Sequence, residues 1–322
     1  MMFFYVVAGF LVLLVGAEFL VRGAVGLARQ LGISKLVIGL TAVAFGTSAP
    51  ELVVSVTAAL KDAPELALGN VVGSNVCNIL LVLGVAALVR PIACTTPWLM
   101  RDGVSVLGAT LLMIGFGAMG PYTWPHGLLF LGLLTVFLYY CYHTERRAPV
   151  KETHAGEVDE VESVPATTGR AAAVLVFGIV GVVAGSELLV MGAIDVARFF
   201  GVSESAIGLT LVAFGTSLPE LATVVVATAR GHDDIAAGNI LGSNLFNILA
   251  VLGAAAITAP IPVSAAMLAF DFWVMLGAVL VMVPYMISGR KIGRAAGTLF
   301  VLAYLGFVAA QFIGLSGMPN NV

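Results

Sequence analysis

Apolar residues along this chain come in long runs rather than in the alternating or amphipathic patterns of soluble domains. Ten of these runs are long enough to cross a bilayer, which takes about 20 residues in helical conformation. The runs cover residues 3–28, 37–60, 66–89, 102–119, 125–142, 171–197, 206–229, 235–257, 264–287 and 295–315. The pattern predicts an all-α integral membrane protein with ten transmembrane helices.

Two blocks of sequence occur twice, at a constant offset of 169 residues. Residues 39–52 read GLTAVAFGTSAPEL and residues 208–221 read GLTLVAFGTSLPEL, which agree at 12 of 14 positions. GNVVGSNVCNILLVLG at 69–84 returns as GNILGSNLFNILAVLG at 238–253, which agrees at 11 of 16 positions. A shared offset of this kind indicates an internal duplication.

The duplication predicts three parts of the chain: a first five-helix repeat at 1–142, a cytoplasmic linker at 143–170 and a second five-helix repeat at 171–322. Because five is odd, the second repeat must enter the membrane from the opposite side. Of the 15 Lys and Arg residues, 12 fall in connections on one side, Lys61 and Arg198 fall on the other, and Arg22 lies within a span. Basic residues accumulate on the cytoplasmic side, so both termini are expected outside. Inverted repeats around a site at the membrane midplane are typical of secondary transporters.

Composition agrees with this class. The chain is 60% hydrophobic and 10% charged, whereas soluble domains contain about 25% charged residues. The cysteines Cys77, Cys94 and Cys141 are odd in number and without metal-like spacing, so we interpret them as packing residues. No nucleophile–base pair or metal–His cluster is apparent, so we expect neither an enzyme nor a cofactor, and no nucleic-acid partner.

The first repeated block should break its helix. Pro50 lies inside the apolar run 37–60, lacks an N–H and collides with the carbonyl four residues back, which predicts a break near Gly46 and Thr47. Irregular backbone at that depth is tolerated where it lines a cavity. The freed carbonyls of Ala44 and Thr47 and the hydroxyls of Thr47 and Ser48 are hard oxygen ligands. Pro219 predicts the same break in the second repeat, with the equivalent residues Ala213, Thr216 and Ser217.

A glutamate follows each of these prolines. Glu51 lies 14 residues beyond the start of its run, or about 21 Å at the helical rise, near the middle of a hydrocarbon core about 30 Å thick. Glu220 should reach the same depth from the opposite face. A carboxylate there costs several kcal/mol unless it is paired or neutralised, and the repeated blocks contain no cationic residue at that depth. Protons or metal cations must therefore relieve the charge, which predicts a cation site.

The second repeated block supplies neutral polar groups. Ser74 and Asn78 are four residues apart, as are Ser243 and Asn247, so each pair shares one helix face. Asn75 and Asn244 point elsewhere, and helix packing is their expected role.

The number and kind of oxygens indicate the ion. Two glutamates and the carbonyls of Thr47 and Thr216 provide up to six oxygens, which suits Ca²⁺. Cys77, which we interpret as a packing residue, is the one Cys or His in the repeated blocks, and this scarcity argues against Zn²⁺ or Cu⁺. Flanking hydroxyl and amide groups of lower charge suit Na⁺.

The two blocks, with GTS-x-PE and GSN-xx-N occurring twice, closely resemble the α-repeats of the cation/Ca²⁺ exchanger superfamily, specifically its prokaryotic sodium/calcium exchanger branch. The resemblance covers the whole ten-helix plan. It implies that Glu51 and Glu220 bind Ca²⁺ centrally, aided by the Thr47 and Thr216 carbonyls, with Asn78 and Asn247 completing the middle. It also implies Na⁺ sites formed by Ala44, Ser48 and Ser74 on one side and by Ala213, Ser217 and Ser243 on the other.

One departure bears on the ions that are exchanged. Some relatives, including potassium-dependent members, have Asp where this chain has Asn247. In this chain, the middle of the site therefore carries only the two negative charges of the glutamates. One Ca²⁺ neutralises them, whereas three Na⁺ would leave a net charge of +1. We therefore predict electrogenic, K⁺-independent exchange of three Na⁺ for one Ca²⁺ by alternating access. The partners are these two ions and the lipid bilayer, and the protein is expected to be a monomer in the inner (cytoplasmic) membrane.

Other interpretations stay open at this point. The glutamates could exchange protons equally well on electrostatic grounds, which would make the protein a proton/Ca²⁺ (or other divalent cation) exchanger. Inverted halves with polar broken helices also build cation channels, although a channel needs no deep, highly charged Ca²⁺ site. Glu18 and Glu187 repeat at the same offset. For Glu18, the simplest interpretation is an ion pair with Arg22, which lies one helical turn further on. For both glutamates, a structural or gating role and a role in ion entry stay open.

Overall fold

Helices account for most of the chain in the computed structural model, which describes residues 2–61, 63–95, 98–147, 165, 167–199 and 213–312. The α-helices are α1 Met2–Leu31, α2 Lys35–Ile38, α3 Ala44–Thr47, α4 Ala49–Leu60, α5 Pro64–Val76, α6 Leu83–Val89, α7 Trp98–Met119, α8 Trp124–Arg147, α9 Thr168–Phe199, α10 Ala213–Gly215, α11 Leu218–Ala229, α12 Asp233–Phe246, α13 Leu252–Thr258, α14 Phe272–Ser288 and α15 Arg294–Phe312. Wider π-helical turns occupy Gly39–Val43, Cys77–Val82, Asn247–Val251 and Met267–Asp271. Two short strands, β1 Ile92–Ala93 and β2 Lys291–Ile292, complete the elements of these ranges.

The predicted membrane class is confirmed. Within the described ranges, eight helices are long and apolar enough to cross a membrane, and the bent pair Lys35–Thr47 and Ala49–Leu60 forms one further candidate span. The structure describes the predicted run 206–229 only from residue 213 onward. The main helix of this part is α11, Leu218–Ala229, which is apolar and 12 residues long. The count of ten therefore stays a prediction, and most of the predicted linker also lies outside the described residues.

The chain divides into two compact units. Unit 1 comprises Met1–Thr47 and Val136–Asn239, and unit 2 comprises Ser48–Thr135 and Ile240–Val322. Each unit thus contains segments from both sequence repeats. Two of the boundaries, between Thr47 and Ser48 and between Asn239 and Ile240, fall inside the repeated blocks.

Unit 1 is built on the pairing of its two longest helices, α1 and α9. Glycines occur at every seventh residue of α1, at Gly9, Gly16 and Gly23. A Cβ at Gly16 would lie 2.5 Å from the backbone nitrogen of Val182, and one at Gly9 would lie 2.4 Å from that of Leu189. Only glycine permits this approach, and small residues at helix contacts are typical of membrane proteins, where close packing stabilises association.

Hydrogen bonds between loops tie the helices of unit 2 together. Strands β1 and β2 pair antiparallel with Ile92 opposite Ile292, which joins the connection after α6 to the connection after α14. Tyr122 and Ile261 exchange backbone hydrogen bonds of 2.9 and 2.8 Å, which join the connection after α7 to the one after α13. Both contacts fix the ends of spans from different sequence repeats.

Candidate cation site

The first repeated block breaks its helix as predicted. Helices α3 and α4 are separated at Ser48, which has φ −87° and ψ 8°, and the span bends there by 46°. Pro50 is the second residue of α4, where a backbone N–H has no intrahelical acceptor, so proline begins the new helix without losing a bond. Glu51 lies in the first turn of α4 and is completely buried.

The second repeated block has the same backbone geometry. Helix α10 ends at Gly215, and α11 begins at Leu218 after Ser217, whose φ of −90° and ψ of 4° nearly equal those of Ser48. Glu220 lies in the first turn of α11 with 1% of its surface exposed. In both repeats, therefore, a buried carboxylate stands at the N-terminal end of a helix, where the helix dipole favours negative charge.

In unit 2, neutral polar groups surround the helix of Glu51. Helix α4 packs against α5, which carries Ser74, and both pack against the π-helical segment that begins at Asn247. Ser74 Oγ and the amide atoms of Asn78 and Asn247 are buried, and no residue in the described ranges hydrogen-bonds to them. A buried polar group left in this state costs about 1–3 kcal/mol. A bound ion or an ordered water could satisfy the oxygens among these groups.

The π-helical turns coincide with this polar cluster. Asn78 lies in Cys77–Val82 and Asn247 opens Asn247–Val251, at equivalent places in the two repeats. A π-turn widens the helix by one residue and is frequent at functional sites. Sequence pattern did not reveal these turns, because the apolar run continues through them without a Gly or Pro.

In unit 1, a residue of the second repeat contacts the end of the first broken segment. The hydroxyl of Thr47 donates toward Asn239 Oδ1 at 3.2 Å and the Ala44 carbonyl at 3.3 Å. Ser217 Oγ is buried and receives no hydrogen bond from the part of the chain that the structure describes. The Ala44 carbonyl, which is predicted to be an ion ligand, thus also accepts a hydrogen bond from the Thr47 hydroxyl.

The twelve predicted site residues divide equally between the units. Unit 1 holds Ala44, Thr47, Ala213, Thr216, Ser217 and Glu220, and unit 2 holds Ser48, Glu51, Ser74, Asn78, Ser243 and Asn247. Within each unit, one glutamate is accompanied by buried hydroxyl groups, and unit 2 adds the two amides. This donor set consists of oxygens, the ligands that Ca²⁺ and Na⁺ prefer.

Comparison with known families decides the class. A family model described as "Sodium/calcium exchanger protein" matches residues 1–143 and 170–313, which is most of the chain. The chain belongs to this exchanger family.

Two named proteins and a solved structure resemble the chain over most of its length. The sodium/calcium exchanger MaX1 of Methanosarcina acetivorans is 31% identical over 347 aligned positions, which cover 95% of this chain and 99% of MaX1. The inner membrane protein YrbG of Escherichia coli (strain K12) is 36% identical over 272 positions, or 84% of each chain. A structure of the sodium–calcium exchanger NCX_Mj, soaked with Na⁺ and Sr²⁺, has a TM-score of 0.83 at 31% identity and covers 96% of this chain and 97% of its own.

Membership settles the general activity. The protein is a multi-pass membrane antiporter of the calcium/sodium class, and its transported ions are substrates rather than cofactors. The resemblance inferred from the two repeated blocks is confirmed at the level of the family.

Two asparagines of the exchanger were missed by sequence reasoning. Asn70 Nδ2 donates to the Glu51 carbonyl at 3.2 Å and to Ser55 Oγ at 2.9 Å, so it ties α5 to the first turn of α4. Asn239, the equivalent residue of the second repeat, accepts from Thr47. The available signal was spacing, since each asparagine lies four residues before the predicted serine and continues the same polar stripe.

The expected pair between Glu18 and Arg22 is present. Arg22 Nε lies 2.7 Å from Glu18 Oε1, and Arg230 Nη2 lies 2.6 Å from the same oxygen. Arg230, at the end of α11, was not foreseen as a partner. Glu187, the repeat equivalent of Glu18, is exposed on α9. The ion pair between Glu18 and Arg230 joins α1 to the end of α11. Its contribution to stability is modest, because Arg230 is partly exposed.

Proposed function

We propose that the exchanger moves three Na⁺ against one Ca²⁺, without K⁺, by exposing its site to the two sides of the membrane in turn. One observation carries the proposal: Glu51 and Glu220 are each buried in the first turn of a helix that starts directly after a break. A buried carboxylate in a membrane span is stable when a cation neutralises it.

We assign the ligands by charge and atom type. Glu51 and Glu220, with the carbonyls of Thr47 and Thr216, would bind Ca²⁺, and Asn78 and Asn247 would complete the middle. The Na⁺ ligands would be Ala44, Ser48 and Ser74 on one side and Ala213, Ser217 and Ser243 on the other. Support comes from the buried polar atoms of Ser74, Asn78, Asn247 and Ser217, to which no described residue hydrogen-bonds.

The stoichiometry follows from the charge of these ligands. Two carboxylates are neutralised by one Ca²⁺, and three Na⁺ would leave a net charge of +1. Asn247 keeps the centre at two negative charges, and an amide supplies no anionic ligand for an additional K⁺. Each cycle would then move one net charge across the membrane, so transport would respond to voltage.

We assign ten helices in two inverted repeats, 1–142 and 171–322, with a cytoplasmic linker at 143–170 and both termini outside. The loop contacts support this topology. Strands β1 and β2 join two connections that the basic residues assign to the cytoplasm, and Tyr122 and Ile261 join two connections assigned to the outside. The name of YrbG favours an inner-membrane location, and one chain contains both repeats, so a monomer is sufficient.

A proton/Ca²⁺ exchanger is the main alternative. Protons need only the two carboxylates, whereas Na⁺ needs several neutral oxygens around them. The buried hydroxyl and amide groups of Ser74, Ser217 and Asn247 favour Na⁺ for that reason. A channel is disfavoured because conduction requires weak binding along a path, whereas two buried carboxylates bind a divalent ion tightly.

The coupling ion is tested by ⁴⁵Ca²⁺ uptake into proteoliposomes loaded in turn with Na⁺, with K⁺ or with an acidic buffer. We expect uptake above the leak of protein-free liposomes only with internal Na⁺. Uptake driven by the pH gradient alone would assign the proton/Ca²⁺ alternative. Uptake that needs no internal cation would indicate a channel.

A further inference from the structure

The second broken segment has a backbone group that its own helix cannot satisfy. In a continuous helix the carbonyl of Gly215 would accept from the N–H of residue 219, but Pro219 has none. Helix α10 ends at Gly215, and this glycine is buried. A buried carbonyl without a donor destabilises the fold, so a donor from another element is expected.

Ser186 of helix α9 provides that donor. Its hydroxyl donates to the Gly215 carbonyl at 2.8 Å, and only 5% of the Ser186 surface is exposed. Val190, one turn further along α9, contacts the same glycine, because a Cβ at Gly215 would lie 2.5 Å from Val190 Cγ2. Glycine at 215 therefore lets α9 approach closely enough for the serine to reach the carbonyl.

The first repeat has no equivalent of this hydroxyl. At the same offset of 169 residues, Gly46 corresponds to Gly215 and Pro50 to Pro219, but Ala17 stands where Ser186 would be. A methyl group cannot donate a hydrogen bond. Breaking the helix before a glutamate thus does not itself require the serine, and the bond from Ser186 is specific to the second repeat.

The bond acts on the peptide that leads into the proposed ligands. The Gly215 carbonyl belongs to the peptide unit that joins Gly215 to Thr216, and the carbonyl of Thr216 is the next along the chain. Fixing one peptide plane restricts the rotation of the next, since only φ and ψ of Thr216 separate them. Ligands held in this way bind an ion without first losing conformational freedom.

We propose that Ser186 is a positioning residue for the divalent cation: it holds the Gly215–Thr216 peptide so that the second repeat presents its ligands already oriented. This proposal rests on the assignment of Thr216 and Glu220 to the cation site. Loss of the hydroxyl then weakens Ca²⁺ binding and leaves the turnover rate nearly unchanged, because the serine does not contact the ion.

The test is ⁴⁵Ca²⁺/Ca²⁺ exchange by the full chain in proteoliposomes, without Na⁺, as a function of external Ca²⁺. Ser186→Ala is expected to raise KM about three- to tenfold, the change that loss of one buried hydrogen bond produces. Ser186→Thr keeps the donor and should restore the wild-type KM. Ser186→Cys, which has the same connectivity with a slightly larger atom and a weaker donor, should give an intermediate KM.

Ser105→Ala is the matched control, because it also removes a hydroxyl bonded to a backbone carbonyl, that of Arg101 at 2.9 Å, and it lies in helix α7, which belongs to neither broken segment. Its KM should equal that of the wild type. An unchanged KM in Ser186→Ala and Ser186→Cys, or a raised KM in Ser186→Thr equal to that of Ser186→Ala, would overturn the proposal. A wild-type protein without Ca²⁺ exchange would instead overturn the proposed function, and this proposal with it.

Discussion

Among single residues, two glutamates in similar sequence contexts differ in burial, and this difference separates the proposed cation ligand from a surface residue. Glu51 and Glu65 both follow a proline, and both lie in the first turn of a helix. Glu51 is completely buried, whereas Glu65 is exposed. The Pro–Glu pair starts a helix in each case, and only the buried carboxylate is proposed to bind a cation, because only its burial removes water from the charge.

This contrast gives a matched pair of variants. Glu51→Gln should reduce the affinity for Ca²⁺ by about a hundredfold or more, because removing one member of a buried charged interaction costs about 3–5 kcal/mol. Glu65→Gln should bind Ca²⁺ as the wild type does. Isothermal titration of the purified proteins measures both affinities, and equal affinity of Glu51→Gln and wild type would remove Glu51 from the site.

The burial of Glu51 was predictable from its place inside an apolar run, and the burial of Ser74 and Asn78 from the repeated block that contains them. The hydrogen-bond partners of Asn70 and Ser186 were not predictable, although spacing places Asn70 on the same polar stripe as Ser74. Their roles depend on which helices lie beside them, since Asn70 reaches the Glu51 carbonyl from α5 and Ser186 reaches the Gly215 carbonyl from α9. A sequence shows that a proline frees a carbonyl, but not which side chain satisfies it.

Among the helices, breaks are easier to predict than changes of helical pitch. Pro50 and Pro219 predicted both breaks to within two residues, because a missing N–H has a local effect. The π-turns at Cys77–Val82 and Asn247–Val251 were not predicted. Their extra residue is accommodated by packing against neighbouring helices, which no local residue type specifies. These turns carry Asn78 and Asn247, so the elements that the sequence did not predict hold two of the proposed ligands.

At the scale of the whole molecule, sequence repeats and compact units divide the chain differently. The repeats are continuous, at 1–142 and 171–322, whereas unit 1 and unit 2 each combine segments of both. Duplication is recorded in sequence, but packing is decided by which apolar faces meet. The repeat boundaries therefore did not predict the compact units, and the topology that they predict stays a prediction.

The proposed topology can be tested with introduced cysteines, because Cys77, Cys94 and Cys141 are all buried. Ala265 and Lys291 are exposed, and they lie at opposite ends of the proposed ninth span. In intact cells a membrane-impermeant maleimide should label Ala265→Cys and leave Lys291→Cys unlabelled until the membrane is permeabilised. The reverse pattern would invert the orientation, and labelling of both in sealed cells would remove this span.

The central claim is coupled, electrogenic exchange of Na⁺ for Ca²⁺, and the reversal potential of the current in planar membranes measures it most directly. For three Na⁺ per Ca²⁺ this potential is three times the Na⁺ equilibrium potential minus twice that of Ca²⁺. A tenfold change in the Na⁺ gradient should then shift it by about 180 mV, and a tenfold change in the Ca²⁺ gradient by about 59 mV in the opposite sense. Changes in K⁺ or pH should leave it in place. A reversal potential that follows the K⁺ or pH gradient, or that ignores the Na⁺ gradient, would contradict the account.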